Sequence, residues 1–117
     1  MAKHRSYTCS GGCPVEATLD IIGGKWKGVL LFRLFDGTQR FNALKRAMPA
    51  ITQRMLTKQL RELESAGLVK RVVYAEVPPR VEYSLTPLGA SLRPIIFALR
   101  SWGENYLSDK RPSTKAA

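Results

Sequence analysis

The sequence is poor in the side chains that build catalytic and metal sites. It has one histidine, His4, and two cysteines, Cys9 and Cys13, all near its beginning. The C-x3-C spacing, with no second pair of ligands downstream, is a poor zinc signature. No serine, histidine and aspartate grouping is apparent either, so the sequence predicts no enzyme, no metal site and no cofactor.

Long apolar runs are missing too. No run of about 18 apolar residues is present to span a membrane. Residues 1–10 are polar and basic, unlike the apolar core of a secretion signal. Two neighbouring cysteines do not frame a disulfide-rich secreted fold. We therefore expect a cytoplasmic protein without membrane contact, and 117 residues suit one domain.

Acidic residues are also few. There are 9 Asp and Glu against 19 Lys and Arg, which gives a net charge of +10. The basic excess extends through residues 38–80 and is not confined to the ends of the chain. A solvated basic surface is one explanation. A polyanionic partner is favoured, because Lys and Arg placed on phosphates release condensed counterions.

In the first third of the chain, the spacing of the apolar residues indicates two helices. Pro14 suits the first position of a helix whose apolar residues Val15, Leu19 and Ile22 recur at helical intervals. A glycine pair then ends it. Residues 25–35 are apolar on almost every side, which predicts a buried central helix.

The middle of the chain predicts a helix-turn-helix. A short helix begins near Phe41 and ends before Pro49, and Thr52 is a plausible N-cap for a longer helix over residues 52–66. The longer helix has leucines on one face and polar or basic residues on another. This order of a short helix, a tight turn and a longer basic helix is typical of a DNA-binding helix-turn-helix motif. Taken alone, the longer helix also fits an ordinary amphipathic surface helix.

A predicted hairpin follows this helix. Residues 68–74 and 81–85 alternate like strands, and the loop between them contains Pro78 and Pro79, with Arg80 near its tip. A hairpin directly after a recognition helix is the wing of a winged helix, and an arginine there can reach an adjacent groove or phosphate. We predict DNA contacts from the recognition helix over residues 52–66 and the wing over residues 75–81. The predicted contact residues are Arg40, Thr52, Gln53, Arg54, Thr57, Lys58, Arg61, Pro79 and Arg80.

The last predicted element is one long helix. Thr86 caps it, Pro87 opens it, Pro94 bends it, and it runs to about Leu107. Its apolar stripe exceeds what a monomer of this size needs, so we predict a homodimer on a two-fold repeat of DNA. Packing within one chain is the alternative. The predicted dimer residues are Leu19, Leu92, Ile95, Ile96, Leu99, Trp102 and Tyr106.

Together these elements predict a mainly α fold with a small β-hairpin. This is a winged helix-turn-helix with additional dimerisation helices at both ends, over residues 13–107. Residues 1–12 are predicted to be a flexible segment, and residues 108–117 a basic disordered tail.

Six segments resemble the HxlR-type winged helix-turn-helix regulators of bacteria. They are residues 13–16 (CPVE), 23–27 (GGKWK), 40–44 (RFNAL), 56–64 (LTKQLRELE), 67–69 (GLV) and 77–86 (VPPRVEYSLT). The resemblance implies a homodimeric transcription factor, in our interpretation a repressor, with its wing and recognition helix on DNA and dimer contacts through its terminal helices. Many members of that family respond to thiol-reactive electrophiles, oxidants or aldehydes.

The resemblance also implies a sensing role for Cys13, the cysteine that precedes the proline. A thiol at a helix N-terminus in a cationic protein is favoured as the thiolate, and Cys9 is close enough to resolve an oxidised Cys13. No cysteine follows Cys13. A disulfide would therefore join Cys9 and Cys13 or the N-terminal segments of two subunits. The alternative is a small buried residue with no signalling role.

Two other functions stay open. One is a regulator controlled by a small apolar effector between the dimer helices, with Trp26, Phe32, Trp102 or Tyr106 as pocket walls. The other is a protein-interaction module that uses the wing hairpin. DNA, a second copy of the chain and either a small electrophile or an apolar effector are thus the predicted partners.

Overall fold

The computed structural model describes residues 13–110. The predicted flexible segment 1–12, and Cys9 with it, lies outside the described residues. The elements in chain order are α1 (Cys13–Ile22), α2 (Lys27–Leu34), β1 (Gln39–Arg40), α3 (Phe41–Ala47), α4 (Gln53–Ser65), β2 (Val69–Tyr74), β3 (Arg80–Leu85), α5 (Pro87–Ala90) and α6 (Arg93–Lys110).

The helix-turn-helix consists of α3 and α4, as predicted. Thr52 caps α4: its Oγ1 accepts a hydrogen bond from the backbone N–H of Met55 at 3.1 Å. Ile51 just before the cap and Leu56 in the first turn are both buried, which fixes how the chain enters the helix. Gly67 then takes a φ of 80°, a left-handed conformation that ends the segment and turns the chain into β2.

The wing is the antiparallel hairpin of β2 and β3, paired from Val69 opposite Leu85 to Tyr74 opposite Arg80. The sheet has a third strand that the sequence analysis missed, since β1 pairs with β3 in the order β1-β3-β2. A two-residue strand is too short to show alternation. Arg80 was predicted near the loop tip and is instead the first residue of β3.

The core lies between α2 and α4 and the base of the wing. Leucine is its most frequent residue: Leu30, Leu31 and Leu34 of α2, Leu44 of α3, Leu56, Leu60 and Leu63 of α4, and Leu68 ahead of β2 are all buried. The prediction that α2 is the central helix is correct, although its Val29 is exposed. This core holds α4 with its polar face outward.

The prediction of one continuous C-terminal helix is wrong. The helix ends at Ala90, and α6 begins at Arg93 after a turn at Ser91 and Leu92. Pro94 is the second residue of α6, where a missing N–H costs no helical hydrogen bond, so it helps to start the helix and does not bend it. Helix α6 continues beyond Leu107 to Lys110, and the rest of the predicted tail, residues 111–117, lies outside the described residues.

A tight contact joins α5 to the base of the wing. Thr86 Oγ1 donates to the Gly67 carbonyl at 2.6 Å and accepts from the Gly89 N–H at 3.0 Å. A Cβ at Gly89 would overlap the Leu68 carbonyl oxygen. We call this contact, made by Gly67, Leu68, Thr86 and Gly89, the wing-base joint. No helix within residues 13–110 is long and apolar enough to cross a membrane.

Candidate nucleic-acid interface

The outward face of α4 carries the predicted base-reading residues. Gln53 and Arg54 are exposed in its first turn, and Arg61 is exposed further along, while Thr57 is half-buried. The Thr52 hydroxyl is engaged in capping the helix. Exposed Gln and Arg in the first turn of a helix can present paired donors and acceptors to base edges.

One basic residue of α4 differs from the others because it has a carboxylate partner. Lys58 Nζ lies 3.3 Å from Glu62 Oε2, and Lys27 Nζ of α2 donates to Glu62 Oε1 at 2.6 Å. The hydrogen bond from Lys27 lowers the pKa of Glu62, against the opposite effect of partial burial, and Lys58 lowers it further. The Lys58 charge is thus partly compensated. Among the described residues, Arg54 and Arg61 have no such carboxylate partner.

A polar groove of about 450 Å³ separates α4 from the wing. Four arginines line it, and three of them, Arg40 of β1, Arg61 of α4 and Arg71 of β2, are exposed. Its other lining residues are Phe41, Asn42, Thr57, Glu76, Pro78, Pro79, Arg80, Val81 and Tyr83. We call this cavity, defined by Arg40, Arg61 and Arg71, the arginine groove.

Arg80 is held by contacts within the wing. Its side chain is 29% exposed, and its guanidinium lies 4.1 Å from the centre of the Tyr74 ring. Nη2 is 3.1 Å from Glu76 Oε2, and Nε is 3.5 Å from Glu82 Oε2 without forming a hydrogen bond. Pro79 beside it is exposed on the loop. Arg80 therefore differs from the exposed arginines of the groove.

Sequence reasoning did not select Arg71 and Lys27. Arg71 belongs to a strand whose basic residues alternate with valines, and the chain alone does not say which of them meets the recognition helix. Its register opposite Tyr83 of β3 supplies that information. Lys27 sits in a run of the chain that resembles the family, but its partner Glu62 lies on another helix, 35 residues later.

Apart from the arginine groove, α6 and α1 each expose large apolar side chains. Leu99 and Trp102 of α6 are 53% and 67% exposed, and Leu19 of α1 is 57% exposed. Ile95 and Tyr106 are exposed on the same stripe of α6. Of the other residues predicted for the dimer, Ile96 is buried in the chain's own core and Leu92 packs against that core.

Of the aromatic residues predicted as pocket walls, Phe32 lines an apolar groove and the other three lie outside that groove. Trp102 and Tyr106 stack on each other with ring centres 5.2 Å apart, and Trp26 packs against the core. Phe32 lines a second cavity, an apolar groove of about 390 Å³, together with Ile22, Gly24, Lys25, Gly28, Val29, Ile96, Leu99 and Arg100.

Cys13 is the first residue of α1 and is half-buried. The predicted partner thiol, Cys9, is outside the described residues. Within residues 13–110 no three His, Cys, Asp or Glu side chains are gathered in a way that could hold a metal ion.

Comparisons with known proteins agree with this architecture. The chain is 62% identical over 95 residues to YdeP of Bacillus subtilis, an HTH-type transcriptional regulator, covering 81% of this chain and 74% of that protein. The solved structure of the redox regulator HypR in its reduced form is 59% identical with a TM-score of 0.77, covering 80% of this chain and 92% of that one.

A more distant structure, diamide-treated YodB from B. subtilis, is 32% identical with a TM-score of 0.67, covering 80% of this chain and 92% of that one. Residues 21–111 match the family described as HxlR-like helix-turn-helix. These relatives are regulators and not enzymes, and the resemblance inferred from the six segments is confirmed. The chain belongs to the HxlR-like helix-turn-helix family of transcriptional regulators.

Proposed function

We propose that this protein is a cytoplasmic, homodimeric repressor that binds a two-fold repeat of DNA in a sequence-specific manner. Helix α4 lies in the major groove, and the wing lies on the flanking groove. The observation that carries the proposal is the exposed basic face of α4, which adjoins a groove lined by further arginines.

The first turn of α4 carries the sequence-specific contacts. Arg54 binds guanine O6 and N7, and Gln53 binds adenine N6 and N7, because these are the pairings that their side-chain geometries allow. Both residues are exposed, and Arg54 has no carboxylate partner among the described residues. Of the other cations of α4, Arg61 contacts phosphate, and Lys58, whose charge is partly compensated by Glu62, contacts it more weakly.

The dimer uses the apolar stripe on α6 together with α1. Leu99, Trp102 and Leu19 are large apolar side chains that are each more than half exposed, and a second copy of the chain would remove them from water. A two-fold dimer places two recognition helices about one turn of DNA apart, which matches a palindromic operator.

The test compares two cations on the same helix. Binding is measured by fluorescence anisotropy on the DNA upstream of the protein's own gene and on random DNA. We expect Arg54→Ala to lose about 1–3 kcal/mol on the operator and much less on random DNA. Lys58→Ala is the matched control, and its smaller effect follows from its ion pair with Glu62. Wild-type protein without salt-sensitive binding to the upstream DNA would contradict the proposal.

The signal that releases DNA is an oxidant or electrophile that reacts with the Cys13 thiol. HypR is named a redox regulator, and YodB has been treated with diamide, so two relatives of known structure are linked to thiol chemistry. Diamide or a quinone is expected to release DNA from the wild type but not from Cys13→Ser. A normal response of Cys13→Ser would eliminate this mechanism.

The apolar groove favours a second mode of control. It has room for a small molecule of about 390 Å³, and Val29, Phe32 and Leu99 give it apolar walls beside the proposed dimer stripe. An apolar effector bound there would alter how α2 and α6 pack. Release of DNA by such a compound from both wild type and Cys13→Ser distinguishes this mode from the thiol switch.

A further inference from the structure

We propose that the arginine groove is a binding site for a phosphate of the DNA backbone, held by Arg40, Arg61 and Arg71. This inference rests on the proposed function. It identifies the surface that takes the backbone, adds Arg71 to the contact residues and gives Arg80 a different role from the one predicted.

The three arginines converge from separate parts of the fold. They belong to β1, α4 and β2, all three are exposed, and they line one cavity of about 450 Å³. No carboxylate pairs with any of them within residues 13–110. Guanidinium groups present planar sets of donors that match phosphate oxygens, so three unpaired ones around a polar cleft favour a phosphodiester. Asn42 and Thr57 line the same cleft and add neutral polar groups.

Arg80 is a positioning residue for this site. Glu76 is the one acidic residue among the described lining residues, and Arg80 Nη2 lies 3.1 Å from its carboxylate. The same guanidinium covers the Tyr74 ring and lies close to Glu82. Arg80 thus neutralises the charge that would repel a phosphate, and it fixes the loop of the wing against its strands.

The position of the groove explains why it binds backbone and not bases. Gln53 and Arg54 occupy the first turn of α4, where a recognition helix meets base edges. Thr57 and Arg61, which line the groove, lie in the second and third turns, beside the wing. The arginine groove lies between α4 and the wing, so it faces the sugar-phosphate strand that borders the major groove.

The test is the salt dependence of DNA binding by Arg71→Gln, with the adjacent Lys70→Gln as a matched control. Lys70 is exposed on the same strand but does not line the groove. We expect Arg71→Gln to lower the slope of log affinity against log salt equally on operator and random DNA, by at most about 0.9 per subunit because Arg40 and Arg61 remain. Lys70→Gln is expected to leave the slope unchanged.

Three results would overturn the phosphate site. The slope could be unaffected by Arg71→Gln, Lys70→Gln could lower it equally, or the loss could appear only with A·T-rich flanking DNA. The last would assign the arginines to a narrow minor groove. Each of these leaves wild-type DNA binding intact, so they are distinct from failure of the proposed function, in which the wild type itself does not bind.

The role of Arg80 is tested by removing its acidic partner. Arg80→Gln is expected to weaken binding because it exposes the Glu76 charge to the groove, and the double variant Arg80→Gln, Glu76→Gln is expected to recover the wild-type salt slope. A phosphate contact made by Arg80 itself would not be recovered by neutralising Glu76. If the double variant does not recover the wild-type salt slope, Arg80 itself contacts DNA.

Discussion

At the scale of single residues, the described cations fall into two groups. Arg40, Arg54, Arg61 and Arg71 are among those that are exposed without carboxylate partners within the described residues, whereas Lys27, Lys58, Arg80 and Arg100 are paired within the chain. Net charge alone does not separate these groups. The paired cations organise the protein, and the unpaired ones remain available to a polyanion.

The contribution of the Glu62 ion pairs to the free energy of unfolding can be measured directly. The Lys27 side chain is only 18% exposed and donates to Glu62 across the contact between α2 and α4. Glu62→Gln is expected to reduce the free energy of unfolding by about 1 kcal/mol near neutral pH. Urea unfolding measures the loss, and Glu64→Gln on the same helix, exposed and without an ion pair in the described part of the chain, is the control.

The pH dependence of that difference has a definite sign. Because folding lowers the pKa of Glu62, chiefly through Lys27, its contribution is full above the ordinary glutamate pKa of about 4.3 and is lost as the pH falls through the lowered value. The wild type and Glu62→Gln should therefore converge in stability in acid. If the difference in free energy of unfolding between the wild type and Glu62→Gln stayed constant from neutral to acid pH, an ionic origin of that difference would be contradicted.

At the scale of elements, the sequence predicts what is decided locally. The caps at Thr52 and Thr86, the turn at Gly67 and the alternation of the wing strands all depend on neighbouring residues, and the structure has each of them. The break between α5 and α6 escaped prediction because the apolar spacing continues across it. It follows from the wing-base joint, which holds α5 in place through contacts with Gly67 and Leu68, far back in the sequence.

That joint gives an element-scale prediction. Gly89→Ala forces a Cβ into the Leu68 carbonyl oxygen, which is backbone and cannot move aside. We expect a loss of about 1–3 kcal/mol in the free energy of unfolding, the range for overpacking, measured by denaturant unfolding. The neighbouring exposed Ala90→Ser is the control and should change stability by less than about 0.5 kcal/mol. Equal stability of the two variants would mean that the joint yields easily.

At the scale of the whole molecule, the sequence predicted the elements that carry the proposed surfaces better than the residues that line them. The recognition helix and the wing are both present, as predicted, but the arginine groove needs the register of β2 against β3 to bring Arg71 there. One of the residues predicted for the apolar stripe, Ile96, belongs to the core instead. Helical spacing alone does not distinguish a stripe that faces a partner chain from one that faces its own core.

The proposed dimer leads to a prediction about association. Leu99→Glu places a charge in the exposed stripe of α6, so we expect sedimentation to show monomers and affinity for a two-fold operator to fall. Ser101→Glu, exposed on the same helix but off the stripe, is the control and should remain dimeric. Dimers of unchanged stability in Leu99→Glu would exclude this face as the interface.

The wing-base joint has one more consequence for a dimer built on α6. Only Ser91 and Leu92 separate α5, which is hydrogen-bonded to the base of the wing, from α6, the proposed dimer helix. In the proposed dimer, the distance between the two wings therefore depends on this joint and not on α4. Lengthening this turn by one residue should leave each half-site recognised as before while changing the number of base pairs preferred between half-sites.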